Sequence, residues 1–385
     1  MRVGILSYPM LFQRDGGLQI QVRETMAALN GLQGRAGQLE APLAGPLEVP
    51  LEVQLVDANH ERLADFDVLH VFSASNGTYR IVETARELGV PVVLSPLLPP
   101  SWDRASAWRA RLADRLAGRL TQWMVQTSYA QTRRALQLAN VVIALGEAER
   151  DALVHGFGLA PQAIRILPNG VNPHFFTANG DVFLRETGIA GPFVLMVGSI
   201  SPYKNQLGLA QALAGAGAGG PVVPVVLIGA APREQHAYLQ QLLDLPHVSW
   251  LGALDHADPL LASAYHAAGV VALPSPGEVF PLCVLEALAA GTPVVRTAQS
   301  ALDLPDSAFA LRKVRWDDGA ALRLAITELL ALAPERPRVR ALVERFSWQA
   351  VAAQLADCYV QLHADGLAAK AAAAAAASTR RSHAV

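Results

Sequence analysis

The sequence predicts an α/β protein made of two doubly wound parallel sheets, each covered by helices on both faces. Three observations carry this reading. Short β-branched runs alternate with helical stretches along nearly the whole chain. The runs are apolar on both faces, as in strands buried on both sides of a parallel sheet. The rhythm restarts near Gly191, so two successive units follow one another. With 385 residues the chain is long enough for two or three domains, each burying its own core.

In chain order, the strands of the first half are "RVGILS", "VQLVD", "DVLHVF", "PVVLS", "NVVIAL" and "IRILP". Amphipathic stretches such as "LQIQVRETMAAL" and "TYRIVETARELG" supply the helices between them. The Gly/Pro/Leu-rich segment 34–50 has no pattern and reads as a surface excursion. In the second half the strands are "PFVLMVGS", "VPVVLIG", "HVSWLG", "GVVALP" and "PVVR". This places a first domain at 1–175, a second at 176–345, a helix at 346–365 and a low-complexity, disordered tail at 366–385.

Bulk composition narrows the function. A formal net charge of −2 argues against a nucleic-acid binder, which needs a basic footprint. Two cysteines, Cys283 and Cys358, cannot form a disulfide framework and fit a reducing compartment. The apolar part of "MRVGILSYPM" is too short for a signal peptide, and no run of about 18 apolar residues suggests a membrane span. A cytoplasmic location is therefore expected.

Ligands of doubly wound sheets bind outside the carboxyl ends of the strands, so residues just after strands are the candidates. The segment "PSPGEVFPLCVLEALAAGTPVV" follows the strand "GVVALP". Pro281 fits the first position of a helix that Gly291 and Pro293 end. The N–H groups around Phe280, Pro281, Leu282 and Cys283 then form an anion site at the helix start. Glu278 and Glu286 flank it, placed to accept hydroxyl hydrogen bonds from a sugar nucleotide. The plainer alternative is a loop glutamate and a solvated helix glutamate.

In "VGSISPYKNQLGLAQAL", Ser199 and Lys204 lie in a loop after a strand, and Asn205 fits a helix N-cap. A lysine at such a point is a charge placed for phosphate; a plain surface lysine is the alternative. Gly16 and Gly17 open a helix after the first strand's loop and would let backbone approach a ligand. The fingerprint G-x-G-x-x-G is absent there, which counts against a nicotinamide enzyme. "LPNGVNPHFF" reads as a structural linker anchored by Phe175 and Phe176.

Three lookalikes read as structural. The aspartates of "DFD" at 65–67 flank a strand, His70 reads as a satisfied core histidine, and Cys283 as an inert thiol. The ten histidines show no metal-ligand spacing, so no metal site is expected. Segment 101–134 stands apart. Trp108, Leu112, Leu116, Leu120 and Trp123 form a stripe at helical spacing among seven arginines. Such a stripe is usually core with solvated arginines; a basic, Trp-bearing helix can instead lie on an anionic membrane.

Taken together, these motifs resemble glycosyltransferase family 4, the retaining GT-B transferases. "GEVFPLCVLEALAAGTPVV" is similar to the family's E-x7-E segment, "VGSISPYKNQ" to its phosphate loop and "GGLQIQV" to its N-terminal glycine loop. "ANVVIALGEAERDAL" with "ILPNGVN" resembles the passage into the hinge, and "FSWQAVAAQLADCYVQL" the last helix, which crosses back to the N-terminal domain. The resemblance implies two Rossmann-like domains facing an interdomain cleft, with the donor bound by the second and the acceptor by the first. It implies that Glu278 holds the donor sugar, Glu286 the ribose, and that Lys204 neutralises the diphosphate. Backbone at Phe280 to Leu282 and at Gly17 would contact phosphate or sugar, with no divalent metal.

The implied activity is retaining transfer from a nucleoside diphosphate sugar to a glycan or lipid-linked acceptor, in polysaccharide or lipid-linked glycan assembly. The chain departs from the family at Ser199, where arginine is usual, at Val279 in place of glycine, and at Asn172 in place of aspartate. It also lacks the histidine after the fourth strand, where Ser95 and Pro96 stand. Ser199 and the missing histidine motivate one rival reading, a non-catalytic binding or partner subunit of the same fold; a sugar-nucleotide epimerase of the same fold is the other.

Overall fold

The computed structural model describes residues 1–13, 16–32, 50–122, 124–215 and 222–382. Most of the expected excursion at 34–50 and Trp123 lie outside the described residues. The chain divides into two units. The first comprises Met1–Leu11, Gln21–Pro168 and Gln349–Val385; the second comprises Phe12–Ile20 and Asn169–Trp348.

In the first unit, β1 (Arg2–Leu6), β2 (Glu52–Leu55), β3 (Val68–Phe72), β4 (Val92–Ser95), β5 (Val141–Ala144) and β6 (Ile164–Ile166) form a sheet in the order β2-β1-β3-β4-β5-β6. In the second, β7 (Val194–Val197), β8 (Val225–Ile228), β9 (Val248–Trp250), β10 (Val270–Leu273), β11 (Val294–Thr297) and β12 (Leu311–Val314) are ordered β12-β11-β10-β7-β8-β9. Every pairing in both sheets is parallel. Strands β3, β4, β7, β8, β10 and β11 bury almost every residue, the consequence of helices on both faces.

All eleven expected strands form, and β12, with sequence "LRKV", is a twelfth. It is an edge strand with Arg312 half-buried and Lys313 exposed, and charge of this kind blunts an edge while hiding it from an apolar-run search. The strand order places β7 beside β10, with Val194 opposite Val270. Connections leave this pair in opposite directions along the sheet, so a crevice opens outside their carboxyl ends.

The last helix runs from Trp348 to Ser382, so the backbone of 366–382, expected to be disordered, is helical. From Gln349 onward the helix belongs to the first unit. Tyr359 is fully buried and its hydroxyl lies 2.6 Å from His70 Nδ1. Arg165 donates to Gln361 at 2.6 Å. His70 is a satisfied core histidine: its Nε2 meets Ser95 Oγ at 2.9 Å, and burial pulls its pKa down to about 3. Asp67 flanks its strand by accepting from the Arg2 N–H.

One expectation fails. The stripe of segment 101–134 is not core: in the helix Arg104–Leu120 only Ala107 and Gly118 are buried, while Trp108, Leu112, Leu116 and Leu120 are exposed. The helix starts with a capping box between Asp103 and Ser106, so local capping rather than burial of the stripe fixes its beginning.

Candidate active site in the second unit

Lys204 and Glu278 lie 74 positions apart in the chain and meet at 2.6 Å, Nζ to Oε1. Each follows one of the two strands at the switch point, Lys204 after β7 and Glu278 after β10. Ser275, completely buried, also donates to Glu278 Oε1, at 2.6 Å. The Glu278 N–H donates to Gln299 O, and Tyr203 OH to Gly277 O at 2.6 Å, so both loops are tied in place. Lys204 is desolvated, which by itself would lower its pKa, but Glu278 outweighs this and the ammonium is held above its usual range.

The loop after β7 has its own scaffold. Gln206, fully buried, donates to Ser199 O at 2.9 Å and accepts from Ser201 N–H at 3.3 Å. Gly229 sits at φ 150°, and a Cβ there would stand 2.1 Å from Gly198 O. The close approach of these two backbones is what glycine permits. Asn205 occupies the N-cap position of the helix Gln206–Leu213, as expected, but does not cap it. Its backbone is left-handed at φ 64°, and its amide donates instead to Trp316 O at 2.9 Å and Pro274 O at 3.2 Å. It therefore ties the β7 loop to the end of β10.

The helix Leu282–Ala289 begins one residue later than expected, with Pro281 at the N-cap. Pro281 has no N–H and can offer a ligand only carbon and its carbonyl; the donors at this helix start are Phe280, Leu282 and Cys283. Gly291, at φ 82°, ends the helix as expected. The half-buried Cys283 thiol is pushed up to about 12, first by desolvation and then by Glu286, which keeps it protonated and inert.

Glu286 is buried. Tyr265 OH donates to its Oε2 at 2.7 Å and His256 Nε2 lies 2.8 Å from its Oε1. Phe175, also fully buried, packs edge-on against Tyr265, and this fixes "NPHFF" as a structural element of the second unit. A carboxylate has about four acceptor sites. Tyr265 and His256 use two and orient the group, leaving capacity for ligand hydroxyls. Nothing in the spacing of the sequence marks His256, Tyr265, Gln206 or Ser275 as partners of the site; only the fold brings them there.

Gly16 and Gly17 lie in Phe12–Ile20, and the helix they open runs Gly17–Gly31. A Cβ on Gly17 would meet nothing within 4 Å, so its backbone is accessible. Among the described residues no hydrogen bond joins either glycine to the Lys204–Glu278 group. Likewise, among the described residues no group of three or more His, Cys, Asp or Glu is arranged to hold a metal ion, and no helix is long and apolar enough to cross a membrane.

Two doubly wound units, with charged residues after the strands of a switch point, define the GT-B class. Solved structures agree on the fold. The chain matches Anabaena HepE in complex with UDP at a TM-score of 0.68 and 18% identity, over 94% of this chain and 100% of that one. It matches sucrose-phosphate synthase from Thermosynechococcus elongatus at 0.67 and 22%, over 95% and 100%.

Family models for Glycosyltransferase Family 4 and Glycosyl transferases group 1 match residues 38–175 and 191–331, and the chain belongs to this family of glycosyltransferases. It is 32% identical to D-inositol 3-phosphate glycosyltransferase of Segniliparus rotundus over 57% of this chain and 51% of that protein. It is 28% identical to MMP alpha-(1->4)-mannosyltransferase of Mycolicibacterium hassiacum over 77% and 71%. The chain thus spans about half the length of the first of these relatives.

Proposed function

We propose that the chain transfers a sugar from a nucleoside diphosphate sugar to a glycan or lipid-linked acceptor, with retention of configuration and without a divalent metal. The observation that supports this best is the Lys204–Glu278 pair, 2.6 Å apart at the β7/β10 switch point and beside the start of the helix Leu282–Ala289. A diphosphate leaving group needs fixed positive charge at that position. Lys204 and the N–H groups of Phe280, Leu282 and Cys283 supply it without reorganising as charge develops. Glu278 accepts from the donor sugar and Glu286 from the ribose. The glycosidic C–O bond breaks with its electron pair passing to the diphosphate, the acceptor oxygen bonds to the same face, and the acceptor's hydroxyl proton passes to the departing diphosphate oxygen. The UDP bound by the HepE relative is consistent with such a donor. The reading puts the enzyme in the cytoplasm, peripheral at the inner face of the membrane through segment 101–134.

A thermal-shift screen of nucleoside diphosphate sugars tests donor binding, since a ligand of the native state raises its melting temperature. Proton NMR of the product, with chelator present, then reads the anomer and the metal requirement. Stabilisation by a nucleoside diphosphate sugar and an anomer matching the donor are the expected results. Donor binding without turnover on any acceptor would favour the partner-subunit reading, and conversion of the donor with water alone the epimerase. Loss of activity on chelation would overturn the metal-free mechanism.

A further inference from the structure

The helix Arg104–Leu120 presents an uncovered apolar face. Trp108 is 65% exposed, Leu112 53%, Leu116 59% and Leu120 77%. Successive members are four residues apart, so at about 100° per residue they form one continuous stripe turned away from the buried Ala107 and Gly118. Single exposed leucines are ordinary; a stripe led by tryptophan is a contact surface.

Beside this stripe lies a cavity of about 510 Å³ within the first unit. Arg111 and Arg115 line it from the same helix, and Arg80, Arg133 and Arg134 from the helices Tyr79–Glu87 and Ser128–Leu138. Its two carboxylates are already engaged: Glu83 pairs with Arg134 at 2.9 Å, and Asp114 accepts from Thr127 Oγ1 at 2.8 Å. Arg111 Nε donates to Tyr129 OH. Among the described residues Arg80, Arg115 and Arg133 have no carboxylate within ion-pair distance. Five arginines against two carboxylates in a chain of net charge −2 is a local concentration of charge.

We infer that this cavity seats the phosphate headgroup of an anionic phospholipid while the Trp108–Leu120 stripe enters the bilayer beside it. The inference rests on the membrane-peripheral reading above and adds a headgroup site to it. Guanidinium forks match phosphate oxygens two at a time. An aromatic residue and leucines flanked by arginines suit the headgroup boundary. Asp114 is the helix's one acidic residue and lines the cavity rather than the stripe, so no acidic side chain of this helix lies within the stripe to repel the surface.

The test uses the full chain and phosphatidylcholine vesicles with and without phosphatidylglycerol. Two exposed arginines are changed together, Arg115→Gln and Arg133→Gln, with Arg80→Gln as an independent variant. Trp108→Ser with Leu112→Ser disables the stripe. Wild type is expected to sediment only with phosphatidylglycerol vesicles, and the double arginine variant about 30-fold more weakly, at about 1 kcal/mol for each basic residue. Short-chain phosphatidylglycerol below its micellar concentration is expected to raise the melting temperature of wild type and not of the double variant.

Wild-type vesicle binding by the arginine variants, with loss in the stripe variant, would overturn the headgroup site and leave the peripheral reading standing. No vesicle binding by wild type would overturn both. Equal stabilisation by inorganic phosphate would mark a free-anion site, and a dimer dispersed by the stripe variant without vesicle binding would mark a second copy as the partner. Either result overturns the inference.

Discussion

Lys204 Nζ rests 2.6 Å from Glu278 Oε1, so both charges of the candidate site are paired before any donor arrives. Only part of either side chain is exposed, 23% for Lys204 and 16% for Glu278. Under the proposed reading a diphosphate shares the ammonium while Glu278 keeps its hydrogen bond from Ser275. Lys204→Ala removes the cation and leaves Glu278 with Ser275 alone. Turnover at saturating donor is expected to fall by about 10²–10³-fold, the size of losing one fixed charge-stabilising donor. Steady-state kinetics with unchanged circular dichroism checks this; turnover within a few-fold of wild type would count against the assigned role.

Tyr265 orients Glu286. Tyr265→Phe deletes the 2.7 Å hydrogen bond to Oε2 while keeping the buried ring. A hydrogen bond to a charged group contributes about 1.5–3 kcal/mol, so donor affinity is expected to drop by about tenfold or more, with turnover at saturation little changed. Calorimetry with the nucleoside diphosphate separates this from a general loss of folding, which would lower the melting temperature without a selective effect on binding.

Gly229→Ala probes the crossing beside the loop that follows β7. The new Cβ would meet the Gly198 carbonyl at 2.1 Å, at a φ of 150° that side chains rarely adopt. Backbone of this kind costs about 1–3 kcal/mol before the clash is counted. The variant is expected to melt several degrees lower and to lose donor binding, because Ser199 and Lys204 ride on the displaced loop. A melting temperature equal to wild type would show that the loops are not held as described.

Two buried groups of the first unit give stability opposite dependences on pH. Glu149 accepts from the N–H groups of Leu98 and Leu145, and desolvation raises its carboxyl to about 7 from 4.5. A raised folded pKa gives a contribution fully present below the unfolded value and lost as pH climbs through about 7. His70, with its pKa depressed from 6.5 to about 3, contributes stability present above 6.5 and lost as pH falls toward 3. Urea midpoints across pH 4 to 8 are expected to flatten on the alkaline side in Glu149→Gln. Tyr359→Phe leaves a His70 nitrogen without its partner and should cost about 1–3 kcal/mol. Parallel pH curves for wild type and Glu149→Gln would refute the first assignment.

How much of this was legible beforehand varies with the kind of signal. Buried parallel strands announce themselves as short apolar runs, so β1 to β11 could be read directly. The charged edge strand β12 could not, because Arg312 and Lys313 interrupt its apolar run, one on each face. Amphipathic spacing marked a helical stripe within 101–134 but left core and membrane as its two readings, with core the usual one. A stripe has the same spacing whether a sheet covers it or nothing does, and the four exposed side chains show which holds here. Asn205 has the chemistry of a cap, yet its left-handed backbone sends the amide to two carbonyls elsewhere.

The linear order of residues determined the two βα rhythms, the positions of Lys204, Glu278 and Glu286 just after or beyond strands, and the start and stop of the helix between Pro281 and Gly291. These are local matters of propensity, periodicity and turn chemistry, settled within a dozen residues. Tertiary structure alone decided that β7 lies against β10, which joins Lys204 to Glu278 across 74 positions. It also decided that Glu286 is held by Tyr265 and His256, and that arginines from three helices converge on one cavity. Hydrogen bonds and ion pairs act over a few ångströms in space, and only the crossing of strands and helices converts distance along the chain into contact.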